Sequence, residues 1–225
     1  MKAFLTFLTV FLISFSMALA QGGPEDTATL EKQLKTSPDN PELLLKLGRI
    51  YYSRGAGGDK TAVKKSADYL EKLIELTPDH AGAHYWYGSA LVLKGRDALF
   101  PLSKISFVNK GIAELDEAVS LAPENINIRI GRAANGLALP DMFNRMETVL
   151  ADYEYLKRME TEKPGSLNPQ TYLSVLFNLG RAYARVGNHE KSLENLNMVI
   201  RMAPDSELSK SSETLIASLD EKVKK

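Results

Sequence analysis

Residues 176–204, LFNLGRAYARVGNHEKSLENLNMVIRMAP, decide how the surrounding chain folds. The first half places apolar and small residues three, four and seven positions apart, on one helical face; they are Leu176, Leu179, Gly180 and Tyr183. The second half does the same with Leu193, Leu196, Val199 and Ile200. Gly187 and Asn188 between them favour a helix end and a turn. The stretch therefore predicts a hairpin of two helices, which Gly180 allows to approach closely because it has no side chain.

The same pattern returns along the chain. Segments in which a proline follows a helical run and precedes a capping-type residue lie at 35–40, 75–80, 120–125 and 201–206. Between these segments, a bulky apolar residue precedes glycine at Leu47-Gly48, Tyr87-Gly88, Ile130-Gly131 and Leu179-Gly180. Because one such unit cannot bury its apolar face alone, the recurrence predicts a stack of hairpins.

These positions resemble the tetratricopeptide repeat (TPR). Its helix A carries bulky, Leu, Gly and Tyr positions, and its helix B carries small, aromatic-or-Leu and Ala positions before a closing Pro. The best fit is Leu176, Leu179, Gly180, Tyr183, Ser192, Leu196, Val199 and Pro204. Two further fits are Leu44, Leu47, Gly48, Tyr51, Ser66, Leu70, Leu73 and Pro78, and then His84, Tyr87, Gly88, Leu91, Gly111, Leu115, Ala118 and Pro123. The resemblance implies an all-α, right-handed α-solenoid (superhelix) of about four TPR-like helix hairpins, with an N-terminal half-repeat and a C-terminal capping helix.

The first segment of the chain has the pattern of a cleaved export signal. Residues 1–20 combine Lys2 with an uncharged apolar run that ends in Ala18-Leu19-Ala20. An uncleaved membrane anchor is the alternative, because the run is near the lower length limit for spanning a bilayer. The boundaries that we expect after it are a flexible leader at 21–28, a half-repeat helix at 29–40, hairpins at 41–79, 80–123, 124–167 and 168–204, and a capping helix at 205–225.

Extra residues separate helix A from helix B in the first three hairpins, at 54–59, 94–106 and 137–144. Insertions on one edge of a solenoid often frame its binding face. The alternative is that the insertions are surface loops without a role in binding, because such loops tolerate added residues. The third hairpin fits the repeat least well, because Asp152 occupies a position where a small residue belongs.

Composition excludes several classes of function. The 28 basic and 28 acidic residues balance, so no overall charge favours nucleic acid, and the absence of Cys excludes disulfides and thiolate nucleophiles. Residues 55–61 contain three glycines but lack the Gly-Lys-Ser/Thr junction of a phosphate loop. His80 and His84 are four residues apart without a third ligand, and His84 falls at a core position. We therefore expect no catalytic residue, metal or cofactor.

A basic row is the first candidate for partner binding. In TPR proteins the residue just after the helix A glycine lines the concave groove; here these residues are Arg49, Ser89, Arg132 and Arg181. Tyr52 and Arg185 extend the row by one turn, and Tyr85 is the ring that we expect in the groove. Guanidinium groups on successive hairpins would grip the carboxylates of an acidic segment. The alternative is that each arginine pairs with an acidic neighbour or is solvated. The Lys and Asn set of the family's carboxylate clamp is absent, so chaperone-tail binding is not implied.

An apolar edge is the second candidate. Apolar residues in the insertions, if exposed together, would form a contact edge for a partner protein; they are Phe100, Leu102, Met142 and Phe143. If instead they fold back, they are buried against their own hairpins. We call this arrangement loop plugs, and we favour it.

These features together favour a non-catalytic, exported adaptor or scaffold, periplasmic or secreted, whose groove binds a protein or peptide, with acidic segments as candidate ligands. We expect no nucleic-acid partner, and membrane contact only through a partner or an uncleaved signal. The alternative from another class is a periplasmic accessory of a transport system, a helical-repeat component that encloses a small solute.

Overall fold

The computed structural model describes residues 27–223, with side chains described through Leu219. The predicted signal at 1–20 and most of the predicted leader lie outside this range. The described chain contains ten α-helices and one 3-10 helix, Asp141–Phe143, and no strand, which confirms the all-α fold. The α-helices are α1 (Thr27–Thr36), α2 (Pro41–Ala56), α3 (Lys60–Leu76), α4 (Ala81–Asp97), α5 (Pro101–Leu121), α6 (Ile126–Ala138), α7 (Met146–Glu162), α8 (Pro169–Arg185), α9 (His189–Met202) and α10 (Glu207–Val223).

These helices form the tandem hairpins of an α-solenoid, in two compact units that divide after Ile128. The first unit holds the hairpins α2–α3 and α4–α5, preceded by α1. The second unit holds the remainder of α6 with α7, followed by the hairpin α8–α9 and by α10. The half-repeat helix predicted from residue 29 begins two residues earlier, at Thr27.

Most helices begin where the sequence supplies a cap. A side chain just before the helix accepts a hydrogen bond from a first-turn backbone N–H at Asn40, Asp59, His80, Asn168 and Asn188. Proline occupies the first turn of α2, α5 and α8, where its missing N–H costs no helical hydrogen bond. The helix starts are therefore local properties of the sequence, since each cap satisfies donors that the helix leaves unpaired.

The predicted close approach of paired helices is confirmed at the repeat glycines. A Cβ at Gly48 would lie 2.5 Å from Leu70 Cγ, and one at Gly180 would lie 2.8 Å from Leu196 Cγ. The facing small residues Ser66 and Ser192 each donate a hydrogen bond of 2.8 Å to the carbonyl of that glycine. The same glycine and serine device therefore closes the first hairpin and the last.

The second hairpin replaces this device with two glycines. A Cβ at Gly88 would lie 2.7 Å from the Gly111 carbonyl oxygen, so the backbones of α4 and α5 nearly touch where they cross. No larger residue fits at either position without moving a helix, because the obstructing atom belongs to backbone rather than to a flexible side chain.

The insertions mostly lengthen helices instead of forming loops. Helix α4 continues to Asp97 and α5 begins at Pro101, so only residues 98–100 connect them. Residues 54–56 are the end of α2, and residues 137–144 contain the end of α6 and the 3-10 helix. Continued helix keeps the inserted backbone hydrogen-bonded, which an irregular loop of the same length would not do.

The last helix lies within the predicted capping segment and packs on α9 and α8. Its buried positions are Ser209, Ser212 and Leu219, while the apolar residues Leu208, Leu215 and Ile216 are half-buried. None of the helices in residues 27–223 is both long and apolar enough to cross a bilayer.

Candidate partner-binding site

Arg49, Tyr52 and Trp86 form a cluster in the first unit, which we call the Trp86 cluster. The Arg49 guanidinium carbon lies 5.3 Å from the centroid of the Trp86 ring, and the Tyr52 ring meets Trp86 edge-on at 5.1 Å. All three side chains are half-buried and come from α2 and α4, the first helices of neighbouring hairpins. Within residues 27–223, Arg49 makes no side-chain hydrogen bond or ion pair, so its N–H donors face no internal acceptor.

The expectation that Tyr85 and Ser89 line an open groove is wrong. Tyr85 is 7% exposed and packs among Leu115, Val119 and Ile128, and Ser89 is fully buried. Their hydroxyl groups are hydrogen-bonded to each other, and burial raises the pKa of the Tyr85 phenol. Trp86 is the partly exposed ring of the triplet, and it contacts Tyr52 on α2.

Arg181 is the centre of a second cluster, in the second unit, which we call the Arg181 cluster. Its guanidinium donates a 3.0 Å hydrogen bond to the Asn178 side-chain oxygen and lies 5.8 Å from the Phe177 ring centroid. No carboxylate of the described chain lies within ion-pair distance of Arg181. Burial lowers the pKa of this guanidinium, and the like charge of Arg185 lowers it further. Arg181 is thus a desolvated cation without an internal counter-ion.

Tyr153 on α7 belongs to the same cluster. The side chain is 1% exposed, and its hydroxyl has no hydrogen-bond partner in residues 27–223. Burial raises the pKa of this phenol, and the positive charge of Arg181 opposes the shift, which places the two groups within electrostatic reach. Buried hydroxyls almost always have a partner. The Arg181 cluster therefore combines a buried hydroxyl that has no hydrogen-bond partner with a guanidinium that has no carboxylate partner, both among the described residues.

Arg132 is committed to an internal ion pair, which is the alternative that the sequence left open. Its Nε lies 2.8 Å from Asp152 Oδ2, and Arg129 Nη1 lies 2.7 Å from Asp152 Oδ1. The carboxylate is fully buried, and the two arginine side chains are 15% and 16% exposed. Asp152 departs from the small residue of the repeat because it is the shared acceptor of these two arginines.

Arg185 is also occupied. It forms an ion pair of 2.7 Å with Asp141 and donates hydrogen bonds to the carbonyl oxygens of Leu137 and Leu139, at 2.7 and 2.5 Å. These contacts hold the end of α6 and the 3-10 helix against α8. These two carbonyl groups lie in the last turn of α6 and just after it, where carbonyl groups lose their helical partners.

The apolar edge is mostly exposed, so the favoured prediction of buried loop plugs is wrong for three of its four residues. Phe100 is 71%, Leu102 82% and Met142 64% exposed, whereas Phe143 is half-buried. The exposed residues lie at helix ends, where the short connections leave them no cavity to fill. The neighbouring Leu137 and Leu139 are the residues of this insertion that pack inward.

The histidines have structural partners. His80 caps α4 through Nδ1, and the two ring nitrogens of His84 lie 2.6 Å from Glu114 Oε2 and 2.7 Å from the Pro78 carbonyl oxygen. The described part of the chain contains no group of three His, Asp or Glu side chains that could hold a metal ion.

Sequence reasoning missed Trp86 and Tyr153. The sequence gives a weak indication of the role of Trp86, because three adjacent aromatic residues on a helix cannot all face the same way. The sequence gives no indication of the role of Tyr153, since a hydroxyl without a hydrogen-bond partner can be recognised only when the positions of all neighbouring residues are known.

Residues 63–100 and 173–206 each match a model of the tetratricopeptide repeat. No curated protein matches the chain. The fold is similar to the crystal structure of a thermophilic TPR protein from Thermus thermophilus, with a TM-score of 0.58 and 16% identity over 86% of this chain and 88% of that one. It is also similar to the crystal structure of MamA, with a TM-score of 0.56 and 21% identity over 78% of this chain and 85% of that one. The chain therefore contains segments that match the tetratricopeptide repeat at residues 63–100 and 173–206, and it shares the fold of a tetratricopeptide-repeat protein.

Proposed function

We propose that this chain is an exported, non-catalytic adaptor that binds a protein or peptide partner through carboxylate groups of that partner. The tetratricopeptide fold itself suggests a scaffold for protein–protein interaction. The observation that carries the finer proposal is Arg181, a desolvated guanidinium with no carboxylate partner among residues 27–223.

A carboxylate from a partner would complete the Arg181 cluster. Removing a cation from water is unfavourable unless an anion compensates it. Arginine accommodates two parallel hydrogen bonds to one carboxylate, and Asn178 occupies only one of its nitrogens. An acidic side chain or a chain terminus has this chemistry.

The Trp86 cluster supplies a second point of contact of another kind. A guanidinium that lies over a tryptophan ring can still donate hydrogen bonds from its N–H groups. Tryptophan, tyrosine and arginine are the residue types on which binding energy concentrates in protein interfaces. A segment that pairs acidic with apolar residues would therefore suit this cluster.

Export is proposed from the signal-like composition of residues 1–20. The solute-carrying alternative has less support, because the wall of a closed apolar chamber requires buried rings and Phe100 is 71% exposed.

Affinity capture from a cell-envelope extract tests the proposal. Wild-type protein and the Arg181→Ala variant are immobilised at equal density, and the captured proteins are quantified by mass spectrometry. We expect the recovery of specific partners to fall about tenfold with Arg181→Ala, and free glutamate-rich peptide to compete with the wild type. Mass spectrometry of the protein recovered from the envelope should give an N-terminus at Gln21.

The matched control is Arg201→Ala, which removes one positive charge from an exposed position on α9. It should capture the same partners as the wild type. Equal capture by the wild type and Arg181→Ala, with both correctly folded by circular dichroism, would show that the Arg181 cluster is not the binding site.

A further inference from the structure

The connection between α4 and α5 exposes a continuous apolar tip, residues 99–102. Leu99 is 84%, Phe100 71% and Leu102 82% exposed, and Pro101 between them is also exposed. These three are the most exposed large apolar side chains in the part of the chain with described side chains. Single exposed apolar residues are ordinary, but a run of four at one helix junction marks a contact surface.

The tip cannot fold back into its own hairpin. One turn before it, α4 and α5 close on each other at Gly95, where a Cβ would lie 2.7 Å from Val108 Cγ2 and 3.1 Å from the Lys104 carbonyl oxygen. This contact leaves no space between the helices for a leucine or phenylalanine side chain. Pro101 then starts α5 immediately, so the tip is held as a short, rigid projection.

Basic residues flank the tip in the sequence. Residues 94–110 contain Lys94, Arg96, Lys104 and Lys110 but one acidic residue, Asp97, which pairs with Arg96 at 2.7 Å. Four positive charges less one negative charge give this segment a net charge of +3, in a chain whose basic and acidic residues balance. Lys110 is exposed, and the Lys94 ammonium group lies 4.9 Å from the Phe107 ring centroid.

We propose that the 99–102 tip inserts into the headgroup region of an anionic lipid bilayer. Segments that lie at the membrane interface typically combine leucine and phenylalanine with neighbouring lysine and arginine. Lysine is depleted in the buried centres of protein interfaces, which makes a protein partner the weaker match for this surface. The basic residues would contact anionic headgroups while the apolar tip enters the acyl boundary.

A vesicle co-sedimentation assay tests the tip directly. The probe is a set of vesicles of phosphatidylcholine alone or mixed with phosphatidylglycerol. We expect wild-type protein to sediment with the mixed vesicles and the variant Leu99→Ser/Phe100→Ser/Leu102→Ser to bind about tenfold more weakly. The matched control, Leu76→Ser/Val186→Ser/Met202→Ser, removes three exposed apolar residues outside the tip and should bind as the wild type does.

A site-specific label separates the tip from any contribution of residues 1–20. The chain contains no Cys, so Ser106→Cys, exposed four residues after Leu102, takes a single environment-sensitive fluorophore. Its emission should shift to shorter wavelength with the mixed vesicles, whereas the label at Ser211→Cys, exposed on α10, should not shift.

The absence of a shift at residue 106, or equal shifts at both positions, would overturn the proposal. So would equal vesicle binding by the tip variant and the wild type. Concentration-dependent dimerisation without vesicles, lost in the tip variant, would assign the surface to a second copy of the chain instead.

Discussion

Asp152 is a buried carboxylate that Arg129 and Arg132 share from the facing helix. The arginines are three residues apart on α6, so both project from one face toward the same point on α7. Asp152, which departs from the repeat pattern, therefore forms an internal ion pair with Arg132, which the sequence predicted to line the groove. In the third hairpin this ion pair links α6 to α7 at the repeat position where the first and last hairpins have a serine.

Replacing Asp152 with Asn should lower the free energy of unfolding by about 3 kcal/mol, because two nearly buried guanidinium groups lose their counter-ion. The substitution preserves side-chain size, so packing is not the cause. Chemical denaturation monitored by circular dichroism measures the change.

The control for Asp152→Asn is Glu162→Gln on the same helix. Glu162 lies 4.0 Å from Arg158, and both side chains are more than 60% exposed. Its loss should change the free energy of unfolding by less than about 0.5 kcal/mol. Similar effects of the two substitutions would contradict the distinction between a buried and a solvated ion pair.

Helix α1 precedes the first hairpin and is attached to it through Glu31. The Glu31 carboxylate accepts hydrogen bonds from the Tyr51 hydroxyl at 2.6 Å, the Lys65 ammonium at 2.9 Å and the Tyr69 hydroxyl at 3.2 Å. These donors belong to α2 and α3, so one carboxylate joins three helices. Leu30 and Leu34 on the same helix supply its buried apolar contact.

The attachment of α1 should weaken in acid. Hydrogen bonds from Tyr51 and Lys65 lower the pKa of Glu31 below its ordinary value of 4.5. A lowered folded-state pKa means that the stabilisation is present above pH 4.5 and is lost as the pH falls through the folded-state pKa. Glu31→Gln should therefore cost about 1 kcal/mol at neutral pH and progressively less in acid.

Thermal or urea unfolding at a series of pH values measures this difference between wild type and Glu31→Gln. Glu75→Gln, which changes an exposed carboxylate on α3, is the matched control and should show no such pH dependence. A stability difference for Glu31→Gln that stays constant into strong acid would contradict the role assigned to the carboxylate.

A stack of helix hairpins has two open ends, and in the described chain α10 covers the last hairpin by packing on α8 and α9. Its buried face is built largely from small residues, Ser209 and Ser212, so that the helix lies close to its neighbours. Terminal helices of this kind keep the apolar face of the last repeat from water.

Ending the chain at Asp205 should lower the melting temperature by about 5 °C and promote aggregation, because the last hairpin would expose its packing face. Differential scanning calorimetry and light scattering measure the two effects. A chain that ends at Val223 is the control and should melt as the full chain does. An unchanged melting temperature after removal of α10 would show that the helix is not a cap.

The helices and their pairing into hairpins were predictable because their causes lie within a few residues of one another. A capping residue such as Asn40 or Asn188 starts a helix through its own first turn. Gly48 and Gly180 specify close approach because they lack a side chain that any partner helix would meet. Spacings of three and four residues then select the buried face without reference to distant parts of the chain.

The partners of individual side chains required the folded arrangement. Arg49, Arg132 and Arg181 occupy equivalent repeat positions, yet they respectively stack on Trp86, pair with Asp152 and lack a carboxylate partner in the described chain. The exposed tip at 99–102 likewise depends on how tightly α4 and α5 close at Gly95. Helical periodicity sets the direction in which a residue points. The distance and rotation between packed helices determine which side chain it meets, and these depend on every contact at once.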